Sequence, residues 1–171
     1  MNQEMLRPFI ELFTLTDQDA TGRIAGRLEL VLRDPAAYQK EFAEELAERG
    51  MEGGLPAQEL RDVALIDALL SEELIWECDW QDSGPDTAEA LNELLAHQNR
   101  VPALHHAALA SFRKAGPEML DALQDALEPA GLALVLFALD SDSFPLSVVA
   151  EAQAESARQQ AQELGFTLTI Y

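Results

Sequence analysis

The stretch Gly131-Leu132-Ala133-Leu134-Val135-Leu136-Phe137-Ala138-Leu139 is an almost unbroken apolar run, which suits a strand covered on both faces. Asp140-Ser141-Asp142-Ser143-Phe144-Pro145 interrupts it with turn-forming residues, and Leu146-Ser147-Val148-Val149 resumes as a second strand. Glu151–Leu164 has a helical period stopped by Gly165, and Phe166-Thr167-Leu168-Thr169-Ile170-Tyr171 alternates like a half-buried strand. The C-terminal part therefore reads strand, turn, strand, helix, strand.

Upstream, Ile75-Trp76-Glu77-Cys78-Asp79-Trp80 has a period of two, with Trp76, Cys78 and Trp80 on one face and Glu77 and Asp79 on the other. A helix starting at Pro85 (stripe Leu91, Leu94, Leu95), a short helix around Leu104–Phe112 and a helix over Pro117–Leu127 follow. The predicted order from Ile75 is strand, helices, strand, strand, helix, strand: the ferredoxin-like order with extra helices in the first crossover. Residues 1–72 read as helical. Gln3–Leu15 has a wide apolar face, its true start placed at Arg7 because Pro8 fits only a first turn. A second helix carries Ile24, Leu28, Val31 and Leu32. A third starts at Asp34-Pro35, aligns Tyr38, Phe42 and Leu46, and stops at Gly50. A fourth spans Pro56–Leu70.

The expected class is α+β: one domain over 1–171, with an N-terminal helical region (1–72) and a sheet-containing region (73–171) holding four mostly antiparallel strands. The N-terminal helices are expected to cover the second sheet face. In the usual ferredoxin-like order the second strand lies at an edge, where the doubly apolar 132–139 run fits poorly. A different strand order, or a homodimer continuing the sheet, would resolve that.

Thirty-one Asp and Glu against 11 Lys and Arg give a net charge of −20. Residues 1–74 hold 16 acids and 7 bases, and 75–171 hold 15 and 4, so the two parts carry −9 and −11. An evenly acidic surface repels phosphate backbones and anionic lipid, which argues against nucleic-acid and membrane partners and favours a basic protein. The single Cys78 cannot form an internal disulfide. No signal-peptide pattern and no run of about 20 apolar residues is seen, so the expected location is cytoplasmic.

Asp17-Gln18-Asp19-Ala20-Thr21-Gly22-Arg23-Ile24 has the outline of a calcium loop, but Leu28 stands where a bidentate Glu is needed. A helix start with Thr16 as N-cap and Asp19 three residues on is the favoured reading. Asp140 and Asp142, with Glu77 and Asp79, form a candidate acidic cluster for a divalent cation or acid–base pair, against the ordinary use of Asp in turns. Trp76 and Trp80 are a candidate pocket floor, against plain core packing. His97, four residues after Glu93, reads as a surface pair; His105 reads as half-buried packing; Cys78 reads as core. No catalytic motif, dedicated metal ligand set or cofactor fingerprint is present.

Leu65-Ile66-Asp67-Ala68-Leu69, Asp79-Trp80 and Leu139-Asp140-Ser141-Asp142-Ser143-Phe144-Pro145-Leu146 resemble an uncharacterised, domain-of-unknown-function family of small acidic bacterial proteins. Asp34-Pro35 and Glu48-Arg49-Gly50 fit the same family. The resemblance transfers no activity. It implies a bacterial cytoplasmic protein in which the acidic turn matters. The expected function is a non-enzymatic acidic binding module for a basic partner, immunity-like or regulatory. The alternatives are a small metal-dependent enzyme using the acidic cluster, and a small-molecule sensor.

Overall fold

The computed structural model describes residues 3–171. Helices α1 (Gln3–Thr14), α2 (Gln18–Arg33), α3 (Pro35–Glu41), α4 (Ala43–Glu48) and α5 (Ala57–Leu70) precede strand β1 (Trp76–Asp79). Then come α6 (Gly84–His97), α7 (Pro117–Leu127), β2 (Leu132–Phe137), β3 (Ser143–Ala150), α8 (Ala154–Leu164) and β4 (Leu168–Ile170). The architecture is α+β with a four-stranded antiparallel sheet.

The strand order is β1-β3-β2-β4, which corrects the ferredoxin-like expectation. The first three strands keep the ferredoxin-like arrangement, but β4 lies beside β2 instead of β1. Leu132–Phe137 is thereby interior, as its apolar character on both faces demands. The shift also changes the layering. Both crossovers, β1 to β2 and β3 to β4, now step the same way across the sheet, while β1 and β3 run antiparallel. Right-handed crossovers then place their helices on opposite faces.

The two cores show that result. Ala133, Val135, Phe137 and Val149 face α8 and the N-terminal helices, joining Phe9, Phe13, Ile24, Leu28 and Ile66. Leu132, Leu134, Leu146 and Val148 face α6 and α7, joining Leu91, Leu95, Leu120 and Leu123. The N-terminal helices thus cover the second sheet face. A fully buried Leu or Phe contributes roughly 1.5–3 kcal/mol, so the two apolar faces hold the three layers together.

Several local expectations shift. α1 contains Pro8 inside the helix, because Pro8 and Glu4, whose carbonyl it leaves unbonded, both face outward. Asp17, not Thr16, caps α2, its carboxylate accepting from the Ala20 N–H at 3.0 Å. The expected third helix breaks at Phe42 (φ −105°), whose ring stacks on Tyr38 at 4.5 Å and lies 4.0 Å from the Arg27 guanidinium. Around 104–112 only a 3₁₀ turn forms, at His106–Leu109.

β3 begins earlier than expected, and Pro145 explains how the sheet ends. The Glu151 N–H donates to the Gly131 carbonyl at 2.9 Å, so odd-numbered residues of β3 address β2. Stepping by two, the nitrogen of Pro145 faces the Phe137 carbonyl and has no proton to give. The β2–β3 ladder accordingly stops at the Leu136–Leu146 pair, while Ser143–Pro145 pairs only with β1. The two strands part there.

Candidate functional site

The gap where β2 and β3 part is a cavity of about 460 Å³. Its apolar lining is Met51, Leu136, Phe137, Ala138, Leu139 and Phe144; its polar lining is Glu59, Asp62, Asp140, Ser141 and Ser143. Leu136 and Phe144 belong to the margin of one core, Met51 and Leu139 to that of the other, so the cavity opens on the seam between layers.

Each part is set by local structure. Gly50, at φ 75°, closes α4: its N–H donates to the Ala47 carbonyl and the Met51 N–H to Leu46, at 2.9 and 2.8 Å. A residue with a Cβ rarely adopts that left-handed turn. Met51 lines the cavity just beyond it. Asp62 is only 8% exposed, and both its oxygens are occupied, accepting from the Thr167 N–H at 2.7 Å and the Gln58 amide at 3.1 Å. It anchors the entry to β4. Glu59 and Asp140 are exposed at the rim, and Ser141 and Ser143 hydroxyls pair at 2.8 Å.

A second polar constellation ties the N-terminal helices to β1. Arg49 donates to Asp67 through Nε at 2.7 Å and also to Glu77. Arg27 donates to the Tyr38 hydroxyl at 2.9 Å and to Glu45, and comes within 3.8 Å of Asp67. The Asp67 side chain is 7% exposed, and its Oδ2 has no hydrogen-bond partner among the described residues. Burial therefore pushes the Asp67 carboxyl above its usual range, although Arg49 and Arg27 pull it down. Burial also works against the charge on Arg49, but Asp67 and Glu77 together hold it above its ordinary value. Arg49 hydrogen-bonds two carboxylates, whereas the second oxygen of Asp67 has only Arg27, 3.8 Å away and beyond hydrogen-bond distance. Burial pushes the Tyr38 hydroxyl up to about 12.

The sequence candidates separate. Glu77 is engaged by Arg49. Asp79 shapes the turn after β1, accepting from the Gln81 N–H at 2.9 Å while its own N–H donates to Asp82. Asp140 and Asp142 are exposed in the β2–β3 turn, and of the four only Asp140 reaches the cavity. Among the described residues no three His, Cys, Asp or Glu side chains gather to hold a metal ion. The calcium-loop outline is wound into α2, with Asp17 spent on its cap.

Trp76 is half-buried, its indole N–H without a hydrogen-bond partner among the described residues, and Trp80 is exposed with the Lys114 ammonium 5.1 Å from its ring; neither lines the cavity. Cys78 is buried beside Thr87, and burial pushes its thiol up to about 11. His97 meets Glu73 at 3.2 Å, not the expected Glu93, and His105 is exposed, not half-buried. Met51 and Glu59 were not visible as site residues, since one sits in a Gly-rich link and the other in a first helical turn where carboxylates are ordinary.

These features define a class: a three-layer α+β protein whose antiparallel sheet opens at one end into a cavity lined by apolar groups and hydrogen-bond acceptors. No described helix is long and apolar enough to cross a membrane. The chain belongs to the family described as "Domain of unknown function (DUF6630)", whose model matches residues 8–171. No curated protein and no solved structure matches it.

Proposed function

We propose that the protein is a non-enzymatic binding module whose acidic surface meets a basic protein partner, in an immunity-like or regulatory role. The observation that carries this reading is the excess of exposed carboxylates over exposed bases, with two of the eleven bases, Arg27 and Arg49, turned inward. Arg27 and Arg49, the latter bonded to both Asp67 and Glu77, are taken up in internal ion pairs, their side chains only 11% and 16% exposed. Arg23 is likewise paired with Glu72, and Arg158 with Glu155. With a net charge of −20, most carboxylates then face water with few cations among them. Such a field accelerates association with a cationic partner and repels anionic ones.

Isothermal titration with octalysine tests the reading. Saturable one-to-one binding that weakens steeply as salt shortens the screening length to about 8–10 Å supports it. No binding, or open-ended uptake of many peptides per chain, contradicts it.

A further inference from the structure

We propose that the cavity where β2 and β3 part binds a single lysine or arginine side chain, the aliphatic stem lying on Met51, Leu139 and Phe144 and the cationic head meeting Glu59 and Asp140. The proposal deepens the basic-partner reading and rests on it for the source of that side chain. The cavity's own chemistry makes the case for the occupant.

First, among the described residues no Lys, Arg or His lines the cavity, and neither Glu59 nor Asp140 takes part in an ion pair. The groove beside Arg27 and Arg49 is different, because three of its four carboxylates, Glu45, Asp67 and Glu77, already hold cations. Second, Pro145 leaves the Phe137 carbonyl without its ladder donor, and Phe137 lines the cavity. Beside the mutually bonded Ser141 and Ser143 hydroxyls, the site therefore offers acceptors from both side chain and main chain, which a ligand carrying donors would satisfy. Third, half of the lining is apolar, drawn from large side chains at the margins of both cores. A bare ammonium would leave that surface wet. A metal ion finds no set of three ligands among the described residues. A long stem ending in a cation satisfies both halves, and the volume of about 460 Å³ falls in the range of small-ligand cavities.

The test follows amide chemical shifts of the full chain during titration with Nα-acetyl-lysine methylamide and its arginine counterpart. The norleucine analogue, which keeps the stem without charge, and methylammonium, which keeps charge without a stem, serve as controls. Shifts confined to Met51, Ala138 and Ser141 and their neighbours are expected with the lysine or arginine derivative, and binding about fivefold weaker with either control. The combined Glu59→Gln and Asp140→Asn variant should weaken lysine binding about fivefold, the scale of two exposed ion pairs. Both residues are exposed, so the variant should fold, and the analogue comparison on the unaltered chain decides the matter independently. Equal binding of the norleucine analogue, or shifts scattered over other surfaces, overturns the site. Saturable octalysine binding with the cavity amides unmoved overturns the site alone and leaves the basic-partner reading standing. Lysine binding in the cavity without octalysine binding does the reverse.

Discussion

Replacing Arg49 by Met should expose how far the buried charge network holds α4, α5 and β1 together. The substitution keeps the stem and removes the guanidinium that serves both Asp67 and Glu77. Asp67 would then keep only Arg27, at 3.8 Å, with its side chain 7% exposed. Removing one partner of a buried pair costs about 3–5 kcal/mol. Arg49 itself is 16% exposed and lines an open groove, so solvent screening brings the expected cost down to about 2–3 kcal/mol. For a chain of this size that is a fall in Tm of roughly 5–10 °C.

The pH dependence carries the sign. The folded Asp67 carboxyl lies above its unfolded value, so the folded state holds that proton more tightly. Its contribution to stability is therefore present at low pH, is lost as pH rises from the usual carboxylate range through the raised folded value, and is flat beyond. Without Arg49 the carboxyl rises further. The penalty of Arg49→Met should thus be small in acid and full near neutrality. Adding Asp67→Leu should recover most of it, since no unpaired charge then remains buried. Denaturant unfolding across pH measures all three chains. A cost below about 0.5 kcal/mol at every pH, unrelieved in the double variant, would show a network solvated like any surface pair.

Asp17→Ala should cost about 1 kcal/mol by uncapping α2, whereas Thr16→Ala should leave the unfolding midpoint nearly unchanged; equal effects would refute the capping assignment. The Cys78 thiol, buried and pushed up to about 11, should resist a thiol reagent at mildly alkaline pH until denaturant is added, and prompt reaction of the folded chain would contradict its burial. Pro145→Ala supplies the missing N–H opposite the Phe137 carbonyl. The amide at position 145 should then be protected from hydrogen exchange and the lysine derivative should bind less well; a fast-exchanging amide would mean that the strands part for another reason.

Much of the architecture was legible because period and punctuation reinforce each other. Leu132–Leu139 announced an interior strand, and Gly50 and Gly165 marked helix ends at the left-handed positions observed. The side on which β4 docks was not legible. Three residues, Leu168–Ile170, carry too little pattern to choose an edge, although the apolar faces of β2 already argued against leaving it outermost. Ion pairs were harder still. Arg49 and Asp67 are 18 residues apart and Arg49 and Glu77 are 28 apart, while each alone reads as an ordinary charge on a helix or strand. The site was half visible: Asp140 stood out in its turn, but its cavity neighbours come from a helix end at Met51 and a helix start at Glu59. What places them together is the packing of the N-terminal helices on the sheet, beside the break in the ladder at Pro145, a tertiary contact that periodicity alone does not reveal.

The most direct measurement is an isotope-filtered Overhauser experiment on the unaltered protein with Nα-acetyl-lysine methylamide labelled along its side chain. Contacts are expected from the lysine methylenes to the Phe144 ring, the Leu139 methyls and the Met51 methyl, which belong to the apolar part of the cavity. Contacts to any other surface, or none at saturating ligand, would contradict this placement.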